Sequence, residues 1–150
     1  MTAQIYGDRN PTEGEMPSYS RRELRLSDVI MIGRIVLMVL RIELLQKRIS
    51  VRRLVSSFDA PANPSKPVDI GRIHWMTRGI LRRMFAGRYC MKRSLVLFHF
   101  LRKAGRDAEI VFGVAKAGEK LEGHAWVTVN GQPFAEEGPV DRYAVTYKYP

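Results

Sequence analysis

The hydrophobic period of this chain changes at Gly105, and that change limits the fold more than any other feature of its 150 residues. Before Gly105, apolar residues recur three and four apart, as on one face of a helix; after it they alternate, as in a half-buried strand. Val29, Ile32, Val36, Val39, Leu40 and Leu44 mark a helix that Ser27 or Asp28 can cap and that runs to about Arg48. The short segment SVRRLVSSF follows, and DAPANPSKP then places three prolines in nine residues, which makes an exposed connection. Ile70, Ile73, Met76, Ile80, Leu81 and Met84 form the stripe of a helix between Val68 and Phe85. Met91, Leu95, Phe98 and Leu101 share the face of another that begins at or near Cys90, with Arg102 and Lys103 in its last turn and Gly105 as its stop. Beyond it, DAEIVFGVAKA, HAWVTV, QPFAEE and RYAVTYKY read as three or four antiparallel strands with AGEK and VNG as turns. The expected fold class is α+β, N-terminal helices followed by a small antiparallel sheet, in one domain over residues 21–150. Residues 1–20 show no periodicity and read as a disordered tail.

Composition narrows the chemistry. With 45% hydrophobic and 27% charged residues, the chain can bury a core without covalent staples. Its one cysteine excludes an internal disulfide, and no Cys/His cluster has zinc spacing, so neither metal nor cofactor is expected and a reducing, cytoplasmic setting fits. The N-terminus lacks the basic start and apolar run of a secretory signal. The longest apolar run, VIMIGRIVLMVL, is interrupted by Arg34 and followed by Arg41, short of the roughly 18 uncharged residues of a spanning helix. It reads as a core helix, with peripheral contact to a membrane or a partner helix left open. The net charge of +10 is concentrated: residues 21–106 hold 20 Lys/Arg against 5 Asp/Glu, whereas residues 107–150 hold 4 against 7. The helical half is therefore the part that could meet nucleic acid, anionic lipid or an acidic peptide, unless its arginines only solvate it.

Cys90 raises a chemical question, because a thiolate is the attacking species and an ordinary thiol, with a pKa near ~8.5, is mostly protonated at neutral pH. A helix N-terminus offers unpaired N–H groups and partial positive charge, and Arg88, Lys92 and Arg93 add cations nearby. A nucleophilic cysteine also needs a histidine base and a group to orient that base. His74 falls at the edge of its helical stripe and reads as a boundary residue. His99 lies nine residues along the Cys90 helix, about 13 Å away, out of hydrogen-bonding reach. His124 opens the strand HAWVTV and shares a face with Trp126 and Thr128, so it can serve if that face meets the start of the Cys90 helix. The hairpin decides its orienter. A two-residue Asn130-Gly131 turn sets His124 opposite Glu137, and a three-residue Val129-Asn130-Gly131 turn sets it opposite Glu136. A cysteine at a helix start packed on a sheet that carries histidine and its orienter fits a papain/transglutaminase-like core.

The stretches RYCMKRSLVLFHFLRKAGRDAEIVFGVAK and GHAWVTVNGQPFAEE then carry a resemblance. They resemble the leader peptidase of lasso-peptide biosynthesis, a transglutaminase-like cysteine protease, at Cys90, Arg93, Ser94 and Leu95; at Leu101, Arg102 and Gly105; at Gly113 and Val114; and from His124 to Val127. The match covers about residues 68–137. The resemblance implies a catalytic set of Cys90, His124 and Glu136, the carboxylate twelve residues after the histidine, and thereby the three-residue hairpin. The family usually has Asp there and Val-Asp-Gly in its hairpin, so Glu136 and Asn130 are departures that leave Glu137 and Asp141 as other candidates for orienting His124. It further implies the stand-alone form of the enzyme, which removes the leader from a ribosomally made precursor with a separate leader-recognition protein, before an ATP-dependent macrolactam cyclase closes the ring. Trp126 and Arg93 are the expected substrate-binding side chains, Trp126 along the peptide groove and Arg93 toward acidic leader residues; as structural residues they would be a core aromatic and an anchor between helix and sheet. Two other functions fit the same residues: an acyltransferase on the same Cys-His-Glu scaffold, and a non-catalytic basic module that binds peptide or nucleic acid.

Overall fold

A computed structural model of the protein describes residues 26–63 and 68–150; the tail expected over residues 1–20 lies outside them. The elements are α1 (Leu26–Leu45), α2 (Val51–Ser56), α3 (Ile70–Met84), α4 (Cys90–Lys103), β1 (Ala108–Ala117), β2 (Lys120–Val129), β3 (Gln132–Phe134) and β4 (Ala144–Tyr149). The sheet is antiparallel, in the order β3-β2-β1-β4. The chain is therefore α+β, as the change of period at Gly105 predicts.

Local chemistry sets the ends of the helices. Ser50 Oγ accepts from the Arg53 N–H at the start of α2, and Asp69 Oδ1 accepts from the Arg72 N–H, 2.9 Å away, at the start of α3. At the end of α4, Gly105 takes a φ of 73°, and the Arg106 N–H returns to the Leu101 carbonyl at 3.0 Å. Because a side chain is strained in that left-handed region, glycine fits there and stops the helix.

Helix α4 lies at the centre. Every residue from Arg93 to Phe98 is buried, as are Phe100 and Leu101. Leu95 to Phe98, Phe100 and Leu101 share one core with Ile35, Val39 and Ile42 of α1, Leu54 and Val55 of α2, Ile73, Met76 and Leu81 of α3, and Ala108, Ile110 and Val127 of the sheet. A smaller cluster on the sheet joins Val111, Trp126 and Tyr143.

Three expectations are corrected. The buried side of α1 is Ile35, Val39 and Ile42, whereas Val29, Leu40 and Leu44 are 57%, 46% and 62% exposed. Apolar residues surround this helix, so helical spacing fits two faces and only packing selects one. Asp28 does not cap α1 from outside; it lies within the first turn, 3% exposed, and is ion-paired with Arg72 of α3. His74 is no boundary residue, being only 5% exposed.

Candidate active site

Two bonds tie the start of α4 to one stretch of β2. Just before the helix, Arg88 Nη1 meets Glu122 Oε1 at 2.5 Å. One turn into it, the Ser94 hydroxyl donates to the Ala125 carbonyl at 2.8 Å. Cys90 lies between the two anchors on the helix side, and His124 lies between them on the strand. Four residues of helix rise about 6 Å, close to two residues of strand, so the two bonds run the start of α4 along the stretch of β2 that holds His124. Cys90 is partly exposed, and the His124 side chain keeps 21% of its surface. His99 is elsewhere, its Nδ1 3.0 Å from the Phe58 carbonyl oxygen.

The carboxylate that meets His124 is Glu136, whose Oε2 lies 2.9 Å from His124 Nε2. The hairpin that delivers it is not the one the family pattern implied. Val129 pairs with Gln132, and Asn130 and Gly131 both have positive φ, 51° and 78°, so the turn is a two-residue type I′. Continued strand pairing would then bring Glu137 across from His124. The ladder ends at Phe134 instead, and Ala135 adopts a φ of 57°, the left-handed region that alanine seldom takes. That residue breaks the strand alternation and brings Glu136 to His124. Glu137 pairs with Arg78 of α3 at 2.5 Å. Asp141 has no bond to His124 among the described residues.

Arg93 and Trp126, the expected substrate-binding side chains, are 8% and 4% exposed. Arg93 Nη2 donates to Glu136 Oε1 at 2.5 Å, so the carboxylate bridges the arginine on α4 and the histidine on β2. A buried carboxylate needs such a partner, because an uncompensated charge in a core is costly. Trp126 stacks near the His124 ring, with centroids 5.9 Å apart at 17°, and Tyr143 stacks on the same ring at 5.0 Å and 26°. Gly113 makes the room. It pairs with His124 across the sheet, and a Cβ on it would come within 3.0 Å of Trp126, of the Tyr143 side chain and of the Ala144 carbonyl oxygen. A bulge at the same level, where Phe112 pairs with Tyr147 but Gly113 with Val145, adjusts β4 beside Tyr143.

The cations near Cys90 are paired rather than free: Arg88 with Glu122, Arg93 with Glu136, and Lys92 with Glu43 at 3.0 Å. The fixed positive potential that remains at the thiol is the start of α4, where Tyr89 supplies no side-chain cap. The Tyr89 side chain therefore takes none of the helix's N–H groups, and as donors these favour an anion.

These features coincide with a family match. The model of the transglutaminase-like superfamily matches residues 34–148. The chain belongs to that superfamily. Comparison with curated proteins and with solved structures returned no match. The transglutaminase-like span runs from within α1 into β4, so it contains Cys90, His124, Glu136 and the residues around them.

With Nε2 of His124 held by Glu136, Nδ1 is the nitrogen left to exchange a proton with a thiol. That division of the ring suits a base that must be aimed as well as charged. Among the described residues, no group of three His, Cys, Asp or Glu could hold a metal ion, and no helix is long and apolar enough to cross a membrane. A cavity of about 600 Å³ lies at the far end of α4, lined by Asp59, Arg102, Arg106 and Tyr149 among others, away from Cys90. Sequence reasoning missed Tyr143 and the buried His74. Tyr143 carries no motif, though the glycine within the strand AEIVFGVAKA signals a close approach on that face.

Proposed function

We propose that the protein is a cysteine peptidase that removes the leader from a ribosomally made lasso-peptide precursor, acting with a separate leader-recognition protein before macrolactam closure. The observation that carries this reading is the bracketing of Cys90 and His124 by the Arg88–Glu122 and Ser94–Ala125 bonds, with Glu136 and Arg93 behind the imidazole. Membership of the transglutaminase-like superfamily and the motifs around Cys90 and His124 support it.

In the mechanism, Cys90 Sγ gives its proton to His124 Nδ1 and attacks the scissile carbonyl carbon. The carbonyl oxygen takes up the negative charge and turns toward the Cys90 N–H at the uncapped start of α4. His124 returns the proton to the leaving amine as the C–N bond breaks, which leaves a thioester on Cys90. A water molecule then attacks the thioester, its proton passing to His124, and the freed carboxylate departs as the thiol re-forms. Glu136 fixes the ring through its bond to Nε2, while Arg93 holds Glu136 in place.

The test is cleavage of the precursor with and without the recognition protein, read by mass spectrometry. Wild type should release leader and core, and Cys90→Ala should lower the rate at least about a thousandfold. Product carrying an amine in place of water at the new carboxyl end would make the enzyme an acyltransferase. Full function in Cys90→Ala would sink both enzymatic readings.

A further inference from the structure

Helix α1 uses one side for the core and leaves a second apolar side bare. Ile35, Val39 and Ile42 are fully buried, yet Ile30, Leu37, Leu40 and Leu44 are 54%, 69%, 46% and 62% exposed. With Leu26, 78% exposed, and Gly33, they recur at alternate intervals of four and three, the seven-residue repeat of a helix–helix seam. Arg34 and Arg41, seven residues apart, line one edge of this seam, and Arg48 follows in the turn just past the end of α1; all three are exposed, and Arg41 lies over the Phe58 ring, 5.0 Å from its centroid. From Ile30 to Leu44 the seam runs about 21 Å.

Gly33 sits in its middle, exposed, and apart from its own stretch of helix no atom among the described residues comes within 4 Å of where a Cβ would stand. A mid-helix glycine costs about 1 kcal/mol relative to alanine. A lipid surface gains nothing from that notch, whereas a facing helix can seat a side chain in it. The charges argue against a second copy of this chain. Antiparallel pairing centred on the seam would set Arg34 of each copy against Arg41 of the other. Parallel pairing would offer the arginines only Val29, Val36 and Glu43, and Glu43 already holds Lys92 at 3.0 Å.

We propose that the exposed seam of α1 docks an amphipathic helix of a separate protein, one that places a large apolar side chain over Gly33 and acidic residues along the Arg34–Arg41–Arg48 edge. The surface is independent of the cleavage chemistry at Cys90, so either reading can fail without the other.

The experiment uses the full chain and two fluorescein-labelled 22-residue synthetic helices with leucine at the seam positions. One carries glutamate at all flanking positions and the other lysine, which keeps each peptide from pairing with itself. Fluorescence anisotropy should show the acidic helix binding at least tenfold more tightly than the basic one. Gly33→Leu should weaken that binding at least tenfold, and Arg34→Glu with Arg41→Glu and Arg48→Glu should reverse the preference. All four positions are exposed, and circular dichroism checks that each variant folds. Four results would overturn the proposal: equal binding of both helices, no binding of the acidic one, binding indifferent to Gly33→Leu, or sedimentation with phosphatidylglycerol vesicles without binding the acidic helix. Concentration-dependent self-association abolished by Leu37→Glu would overturn it too, by assigning the seam to a second copy.

Discussion

On one face of β2, Val127 lies in the large core that α4 and the other helices fill, with Ala125 buried beside it. On the opposite face, Trp126 clusters with just two other buried residues among those described, Val111 and Tyr143, with His124 stacked at the edge. The first face is rich in apolar area and fixes where α4 sits. The second has little area but bears on the His124 imidazole through rings and a carboxylate. Stability and aim are thus divided between the two sides of one strand, which gives each side its own kind of mutation.

The largest loss of stability is expected on the α4 face. Phe98→Ala removes a fully buried ring from the core and should cost about 3–5 kcal/mol. Urea unfolding measures this, and a loss below about 1 kcal/mol would end the contrast between the faces. Arg93→Ala comes next, because it leaves the Glu136 carboxylate buried without its cation; the expected cost is about 3 kcal/mol. Arg93→Met combined with Glu136→Gln should recover most of that stability while activity stays low. Recovered activity would show that the carboxylate is dispensable.

On the imidazole face the order reverses. Gly113→Ala and Tyr143→Leu should lower kcat about 10–100-fold by moving the His124 ring, while unfolding midpoints change less than for Phe98→Ala. Equal stability losses on both faces would show that the aromatic cluster is a second core rather than an aiming device.

A smaller effect comes from His74, which packs under the arginine side of the site. Burial holds its pKa below the ordinary 6.5, and Arg93 and Arg78 push it the same way against an opposing pull from Glu137. The unfolded chain therefore takes up a proton as pH falls through about 6.5, whereas the folded chain resists it. The stability that neutral His74 contributes is full above that pH and is lost on acidification. His99, also lowered chiefly by burial, adds to the same slope. Thermal midpoints should fall from pH 7 to pH 5, and His74→Asn should make the fall shallower. An unchanged slope would remove His74 from the acid response.

The smallest effect concerns Ala135, whose left-handed backbone brings Glu136 to His124. Ala135→Gly should relieve strain and leave stability within about 1 kcal/mol of wild type, with activity retained. Ala135→Val should weaken both, since a β-branched residue resists that φ. Retained activity in the valine variant would mean that the kink is not what selects Glu136.

Much of this was legible in order along the chain. The period change at Gly105 fixed the fold class, the proline-rich connection and Gly105 fixed two boundaries, and Cys90 and His124 stood out because so few residues could do their chemistry. The choice of Glu136 came from the spacing of a family pattern, though the turn inferred from that pattern was wrong. Asn130-Gly131 forms the short turn its residue types favour, and a single alanine in an uncommon conformation restores Glu136.

Local sequence determined what each segment is, because helix and strand periods, caps and turns depend on neighbours a few residues apart. Only the tertiary structure decided which side of α1 faces the core, that Arg93 pairs with Glu136, and that Tyr143 stacks on the His124 ring. These depend on contacts between residues some 20 to 45 positions apart, such as Tyr143 with His124 and Arg93 with Glu136. No short-range pattern encodes them, since many chain paths share the same local signals and packing selects among the paths.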